Sequence, residues 1–202
     1  MITPDRIQIW FSVGSTYTYL TVARLPDIQA RTGLCFDFRP FNVRAIMREQ
    51  NNIPFATKPV KANYMWRDIE RRAAMYGLPA NVPAAYPLRE FDLANCVAVL
   101  SRAEGWCAEY VGATYRYWFV DGQEPGSEPN LSRSIVEAGQ DPERVIAAAK
   151  SPAVQAAYDA ATDEARKLNI FGAPTLVVRG EIFWGDDRVE DAALRQRRRR
   201  SD

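Results

Sequence analysis

The sequence predicts an α/β fold in which a small sheet is interrupted by an inserted all-helical domain. Three observations predict it: strand, helix and strand signals near the start, helical signals alone through the middle, and strand, strand and helix signals near the end. The predicted order is therefore βαβ, a helical block, then ββα. We expect a discontinuous α/β domain over residues 1–42 and 166–202, with the helical insertion over residues 43–165.

The first unit begins with a predicted strand over residues 7–13, a β-rich apolar run that stops at Gly14. A helix is expected over residues 17–31, where apolar residues recur at helical spacing, and Gly33 is typical of a helix C-terminus. Alternating apolar and polar residues predict a second strand over residues 35–40. Because the two strands are joined through a helix, they should be parallel.

The middle of the chain, from about residue 61 to residue 165, is dominated by helical signals. Two helix starts are marked by a capping residue followed by proline, one at Asp141-Pro142 and one at Ser151-Pro152. The aromatic residues at 115–119 are typical of helix-to-helix packing, with the wall of a ligand site as the alternative.

Strand signals return near the end of the chain. A β-branched run at residues 175–178 and a turn at residues 179–180 lead into a return strand over residues 181–184. A final helix is expected to end at about residue 194. The arginine-rich residues 195–200 are typical of a solvated, disordered terminus, with the grip of an acidic partner as the alternative.

Composition and charge exclude several functions. The chain has 202 residues, of which 47% are hydrophobic, so it can bury a core of its own. Its 26 Lys and Arg nearly balance its 25 Asp and Glu, and we therefore expect no nucleic-acid partner. The apolar runs are far shorter than a membrane helix requires, and residues 1–9 lack an apolar signal core. We expect no membrane partner and no export.

Histidine is absent and cysteine is scarce. Without histidine, the chain has no Ser-His-Asp or Cys-His nucleophile system and few means of holding zinc or iron, so we expect no metal site. Its three cysteines, Cys35, Cys96 and Cys107, form no Cys-x-x-Cys pair and are expected to be buried hydrophobes. Their odd number argues against a disulfide framework and favours a reducing cytoplasm.

Two segments carry a resemblance to a known family. Residues 11–20 read Phe-Ser-Val-Gly-Ser-Thr-Tyr-Thr-Tyr-Leu, and residues 170–178 read Ile-Phe-Gly-Ala-Pro-Thr-Leu-Val-Val, followed by Phe-Trp-Gly-Asp-Asp-Arg at residues 183–188. They resemble the 2-hydroxychromene-2-carboxylate isomerases and kappa-class glutathione transferases, thioredoxin-like proteins related to the disulfide oxidoreductase DsbA. The resemblance covers residues 7–194 and implies a thioredoxin-like fold, glutathione as cofactor and a homodimer.

The redox motif of the disulfide oxidoreductases is missing. Where those proteins open the first helix with Cys-x-x-Cys, this chain has Ser15-Thr16-Tyr17-Thr18. Without either sulfur, no thiol–disulfide exchange can run through this position. The resemblance implies that glutathione supplies the thiol instead. Thr16 departs from the family, in which proline is frequent at this position.

Ser15 is the candidate catalytic residue. It lies where a strand meets a helix start, and a hydroxyl there can donate to a bound thiolate and lower its pKa. The alternative is that Ser15 only caps the helix. In the family, the proline matched by Pro174 is cis and faces this turn, and the resemblance implies that the backbone of Ala173 pairs with the cysteinyl part of glutathione.

Charged residues are expected to hold the ends of the glutathione molecule. Asn52 and Lys61 match a kappa-class segment that contacts the glycyl end and the thiol region, with Lys58, or a plain exposed loop lysine, as the alternative. Asp186 and Asp187 suit the γ-glutamyl ammonium group, and a helix cap is the other reading. The family commonly has Ser or Asn and then Asp here, so Asp187 is the better match.

The resemblance implies a glutathione-dependent isomerase. The expected reaction is cis–trans isomerisation of a small aromatic 2-hydroxy-carboxylate through transient addition of the glutathione thiolate. One alternative keeps the cofactor and is a kappa-like transferase that leaves glutathione attached to an electrophile. The other is a catalytically silent thioredoxin-like binding module. The sequence of the helical insertion does not identify the electrophile.

Overall fold

The computed structural model describes residues 6–52, 55 and 58–197, and its sheet has the order β2–β1–β3–β4. The strands are β1 (Ile7–Phe11), β2 (Phe36–Pro40), β3 (Thr175–Val178) and β4 (Glu181–Trp184). β1 pairs in parallel with β2 and antiparallel with β3, which in turn pairs antiparallel with β4. The predicted βαβ unit and the return hairpin are therefore confirmed.

The helices run from one end of the described chain to the other. They are α1 (Thr16–Val22), α2 (Leu25–Thr32), α3 (Val43–Glu49), α4 (Pro59–Met75), α5 (Phe91–Glu104), α6 (Cys107–Phe119), α7 (Asn130–Glu137), α8 (Pro142–Ala149), α9 (Pro152–Lys167) and α10 (Val189–Arg197), with a 3₁₀ turn at Asp186–Arg188 before α10. The α/β fold with helices α3 to α9 inserted between β2 and β3 agrees with the prediction. The boundaries at residues 42 and 166 stay a prediction.

The core is centred on β1, whose Ile7, Ile9, Trp10 and Phe11 are fully buried. Helix α10 packs against β1 and β3, while α5 and α9 approach β2. Helix α1 lies between α4 and α6 and so contacts the inserted helices directly. Within the parts of the chain that the structure describes, no helix is both long and apolar enough to cross a membrane.

The structure differs from the prediction in three segments. The helix expected over residues 17–31 is divided into α1 and α2 because Pro26, which has no N–H to donate, occupies the first turn of a new helix. Gly33 ends α2 in the left-handed conformation, as expected. Helix α3 was not predicted. Helix α10 reaches Arg197, so residues 195–197 are not a disordered tail, and Arg198–Arg200 lie outside the described residues.

Asn95 of α5 secures the β1–α1 turn (residues 12–15). Its side-chain oxygen accepts from the backbone N–H of Val13 at 2.8 Å and from the hydroxyl of Ser12 at 3.3 Å. Its amide nitrogen donates to the carbonyl oxygens of Val13 at 2.9 Å and Phe91 at 2.8 Å. Asn95 is fully buried, so these bonds satisfy the backbone of a turn that has no strand partner.

A tyrosine and a glycine complete the packing of this turn. The hydroxyl of Tyr115 lies 3.1 Å from the carbonyl oxygens of both Ser12 and Ser15, and burial raises the pKa of Tyr115, which keeps it a neutral donor. Gly14 has a φ of +113°, and a Cβ there would lie 2.9 Å from Cδ2 of Phe91. Only glycine combines that conformation with so close a ring.

We predict that Asn95→Ala lowers the free energy of unfolding by about 2–4 kcal/mol, because it leaves buried backbone groups of the turn without partners. Urea denaturation followed by circular dichroism measures the change. Gln29→Ala on the exposed face of α2 is the control and should change the value by less than about 0.5 kcal/mol. Equal effects of the two variants would contradict the role given to Asn95.

Candidate functional site

Ser15 faces the cis-proline segment at the start of β3. It occupies the N-cap position of α1, but its side chain makes no capping hydrogen bond. Its hydroxyl instead donates to the carbonyl oxygen of Ala173 at 2.7 Å. The peptide bond between Ala173 and Pro174 is cis, in line with the resemblance. The structure therefore brings together three of the candidate residues, and the side chain of Ser15 is not engaged as a helix cap.

The antiparallel pairing of β1 with β3 explains this meeting. The C-terminal end of β1 lies beside the N-terminal end of β3, where Trp10 pairs with Thr175. The turn after β4 is attached to the same place, since the backbone N–H of Gly185 donates to the carbonyl oxygen of Pro174 at 2.9 Å. The sheet thus delivers the β1–α1 turn, the cis-proline and the 3₁₀ turn to one end.

Asp186 is buried and paired. It is 3% exposed, and its carboxylate accepts from Nη2 and Nε of Arg72 on α4 at 2.7 and 3.0 Å. Burial raises the pKa of Asp186, and the Arg72 guanidinium opposes that rise. Arg72 also donates to the hydroxyl of Tyr76 at 3.0 Å. The carboxylate that departs from the family pattern is therefore occupied within the protein itself.

Arg24 holds the backbone of the same turn. Its guanidinium donates to the main-chain carbonyl of Asp186 and to Oε1 of Glu190, the latter at 2.7 Å. Its Nε donates to the carbonyl oxygen of Leu20 at 2.9 Å, and its Cζ lies 3.8 Å from the centroid of the Tyr76 ring. Arg24 and Arg72 together fix the 3₁₀ turn against α1 and α4.

Asp187 differs from its neighbour because it faces solvent. Its side chain is 46% exposed, and its nearest cation is Arg188 at 3.4 Å. Gly185 has a φ of +113°, and a Cβ on it would lie 2.5 Å from Oδ1 of Asp187. The turn therefore needs glycine there, and it leaves one carboxylate accessible next to the cis-proline.

Asn52 and Lys61 are not brought into contact with Ser15. Both are exposed, and so is Lys58. Across residues 6–52, 55 and 58–197, their side chains form no hydrogen bond or ion pair. The rest of the predicted segment between them, Ile53, Pro54, Ala56 and Thr57, lies outside the described residues. The roles of Asn52 and Lys61 stay predictions.

The three cysteines differ in burial, and the two buried ones are poor nucleophiles. Burial raises the pKa of the Cys96 thiol to about 11 and that of Cys107 to about 12. The expected burial is confirmed for Cys96 and Cys107 and is wrong for Cys35, which is partly exposed; all three are free thiols. Among the residues with described positions, no group of His, Cys, Asp and Glu side chains could hold a metal ion.

Helix α4 contributes residues that the sequence reasoning missed. Asp68, Arg72 and Tyr76 follow one another at four-residue spacing and so share a face of the helix. The hydroxyl of Tyr17, in the first turn of α1, donates to Oδ2 of Asp68 at 2.9 Å. A periodic polar stripe on an amphipathic helix is a readable signal, but its partners lie 51 and 114 residues away along the chain.

The fold and this arrangement define a thioredoxin-like protein that has no Cys-x-x-Cys pair at the start of its first helix. Residues 6–195 match the family model of the DSBA-like thioredoxin domain, so the chain belongs to the DsbA-like thioredoxin family. Over 187 residues, it is 31% identical to the 2-hydroxychromene-2-carboxylate isomerase of Sphingobium xenophagum, and the match covers 91% of this chain and 94% of that protein.

Two further comparisons agree with this placement. A solved structure of 2-hydroxychromene-2-carboxylate isomerase matches with a TM-score of 0.85 and 26% identity, over 97% of this chain and 98% of the other. Glutathione S-transferase kappa 1 of Caenorhabditis elegans is 22% identical over 196 residues, covering 91% of this chain and 87% of that protein. The predicted fold and the resemblance are confirmed, and these relatives are enzymes by name.

We predict that Arg72→Met lowers the free energy of unfolding by about 3 kcal/mol at neutral pH, because it leaves Asp186 buried without its cation. The pKa of Asp186 then rises further above its unfolded value. The loss is therefore complete above the folded pKa and shrinks as the pH falls through it, because the carboxyl takes up a proton. Urea denaturation at neutral and at mildly acidic pH measures both effects.

Arg71→Met is the matched control for this prediction. Arg71 lies on the same helix, is exposed, contacts Asp68 at 3.4 Å, and has its Cζ 5.6 Å from the centroid of the Tyr64 ring. Its replacement should cost less than about 0.5 kcal/mol and show no recovery in acid. A loss of unfolding free energy in Arg72→Met that grows as the pH falls would contradict the pairing of Arg72 with Asp186.

Proposed function

We propose that the protein is a glutathione-dependent isomerase that converts the cis form of a small aromatic 2-hydroxy-carboxylate to the trans form. One observation carries the proposal: a serine hydroxyl, 2.7 Å from the carbonyl of Ala173, stands where the disulfide oxidoreductases of this family begin their Cys-x-x-Cys motif. The isomerase name of the relative that is 31% identical supports the reaction class. A cytoplasmic location and a homodimer belong to the same proposal.

The groups beside Ser15 fit a tripeptide thiol. The carbonyl oxygen of Ala173 is an acceptor for a backbone N–H of the ligand, as in the addition of a strand. The exposed carboxylate of Asp187 complements an ammonium group, whereas Asp186 is already neutralised by Arg72. Lys61, with Lys58 as the alternative, would supply positive charge for a ligand carboxylate, and Asn52 would supply an amide.

Ser15 has one proton to donate, and this determines what it can do. In the structure that proton is directed at the carbonyl of Ala173. Stabilising a thiolate requires the hydroxyl to turn away from Ala173, whose carbonyl then needs another donor. A ligand with both a thiolate and a nearby N–H meets the two requirements at once, so binding and thiol activation are coupled through this hydroxyl.

When bound, glutathione would supply a thiolate nucleophile that adds reversibly to an unsaturated carbon and so permits rotation about the bond. The protein's part is to orient the thiol, to hold it ionised through Ser15, and to retain the tripeptide through Asp187 and the backbone of Ala173. A kappa-like transferase is the second candidate, favoured by the 22% identity to glutathione S-transferase kappa 1.

Three measurements test the proposed function. Calorimetry should show binding of reduced glutathione, which a silent module would lack. Incubation with glutathione and 2-hydroxychromene-2-carboxylate should yield the trans isomer with no retained adduct in the mass spectrum; a stable conjugate would favour the transferase.

Insulin disulfide reduction should stay at background, since the chain lacks Cys-x-x-Cys. A robust rate that requires Cys35, Cys96 or Cys107 would overturn the proposal.

We predict that Ser15→Ala raises the thiol pKa of bound glutathione by about one unit, equivalent to about 1.4 kcal/mol of lost anion stabilisation. The ultraviolet absorbance of the thiolate, followed against pH, measures the shift, and turnover at neutral pH should fall with it. Ser151→Ala is the control, because Ser151 does cap its helix by accepting from Val154 at 3.3 Å.

The control variant should lower the free energy of unfolding by about 1 kcal/mol and leave the thiol pKa unchanged. An unshifted thiol pKa and full turnover in Ser15→Ala, with glutathione still bound, would end the catalytic case for this residue.

We predict that Asp187→Ala weakens glutathione binding about tenfold, through the loss of one charge-assisted hydrogen bond. Asp191→Ala is matched to it, since both carboxylates are exposed and both contact Arg188. That control should leave the affinity unchanged. Asp186→Asn should weaken binding less than Asp187→Ala, because its carboxylate is paired with Arg72. Calorimetric affinities that are equal for all three variants would remove Asp187 from the site.

A further inference from the structure

Arg44, near the start of α3, packs against residues 88–91, which lead into α5. Its Cζ lies 3.8 Å from the centroid of the Phe91 ring, and its Nη2 donates to the carbonyl oxygen of Leu88 at 3.3 Å. The phenol of Tyr86 also favours the charged form of Arg44 and so opposes the fall in its pKa. One aromatic face and a second aromatic side chain therefore accompany this charge.

The same two residues that hold Arg44 also border the β1–α1 turn. A Cβ on Gly14 would lie 2.9 Å from the ring of Phe91 and 3.3 Å from Cδ1 of Leu88. Gly14 immediately precedes Ser15. Arg44 is therefore separated from the turn that carries the candidate catalytic residue by a single layer of side chains.

The electrostatic position of Arg44 is unlike that of the other shielded arginines. Four of the described arginines are buried or partly buried: Arg24, Arg39, Arg44 and Arg72. Arg24 pairs with Glu190, Arg39 with Asp37 and Arg72 with Asp186, at 2.6 to 2.7 Å.

Arg44 has no carboxylate within ion-pair distance among the described residues; Asp92 favours its charge only from farther away, and Arg48 opposes it. Burial lowers the pKa of Arg44. A guanidinium carries several N–H donors in one plane, and one bond to the carbonyl of Leu88 leaves most of them available. A planar carboxylate is the group that this fork binds best.

We infer that Arg44 binds the carboxylate of the substrate and that the partly exposed ring of Tyr86 contacts its aromatic part. This inference rests on the proposed function and makes it more specific, since it assigns the substrate class to a residue of the helical insertion. Arg44 selects anionic aromatic compounds over neutral ones of the same shape, and it takes no part in holding glutathione.

The test uses 2-naphthoate and its neutral counterpart 2-naphthamide as probes, with calorimetry on the glutathione-saturated protein. The wild-type protein should bind the carboxylate more tightly than the amide. Arg44→Met should reduce that preference by about tenfold or more, and Arg44→Lys, which keeps the charge and loses the planar fork, should reduce it partly. Arg48→Met, one turn along the same helix and exposed, should leave the preference unchanged.

The outcomes separate this inference from the proposed function. Failure of the wild-type protein to bind glutathione would overturn the proposed function. Glutathione binding that is normal in Arg44→Met, together with an unchanged preference for naphthoate, would overturn the role of Arg44 alone. Absence of any preference in a wild-type protein that binds glutathione would do the same. If Arg44→Met fails to fold, the Arg44→Lys result decides, and full retention of the preference would contradict the inference.

Discussion

The hydrogen bonds between the side chain of Asn95 and the β1–α1 turn connect the inserted helices to the sheet. The turn belongs to the sheet, and Asn95 belongs to the inserted helices, so the position of Ser15 depends on both. Tyr115 approaches the same turn from α6 and supplies a further hydroxyl to its carbonyls. A loop that leaves a sheet needs partners for its backbone groups, and here the helical insertion provides them.

Helix α4 makes further contacts that fix residues around the candidate site. Asp68 accepts from Tyr17 of α1, while Arg72 pairs with the buried carboxylate of Asp186. Two neighbouring aspartates thereby acquire different properties. Asp186 is buried and forms an ion pair with Arg72. Asp187 is exposed to solvent, in the turn whose Gly185 is hydrogen-bonded to Pro174. The difference comes from the direction in which the 3₁₀ turn points each side chain.

Much of the fold could be predicted because its signals are local. The apolar and β-branched runs of the strands, the caps at Asp141 and Ser151, and the glycine after α2 each act within a few residues. Helix α3 was missed, although Asn42 caps it by accepting from Ala45 at 3.0 Å.

The meeting of Ser15 with Ala173 and Pro174 could be predicted because sequence motifs carry these residues, and a motif also pointed to Asp187. The pairing of Arg72 with Asp186 and the isolation of Arg44 depend on residues far apart in the chain, which no short pattern reveals.

The bond between Ser15 and Ala173 spans 158 residues and depends on the pairing of β1 with β3. During synthesis, the hydroxyl of Ser15 leaves the ribosome 158 residues before its partner. A growing chain therefore lacks the bond between Ser15 and Ala173 until the β3–β4 hairpin has joined the sheet. A ligand that recognises the finished site binds the native chain alone and shifts the folding equilibrium towards it by mass action. Ligand occupancy and folding are therefore thermodynamically linked.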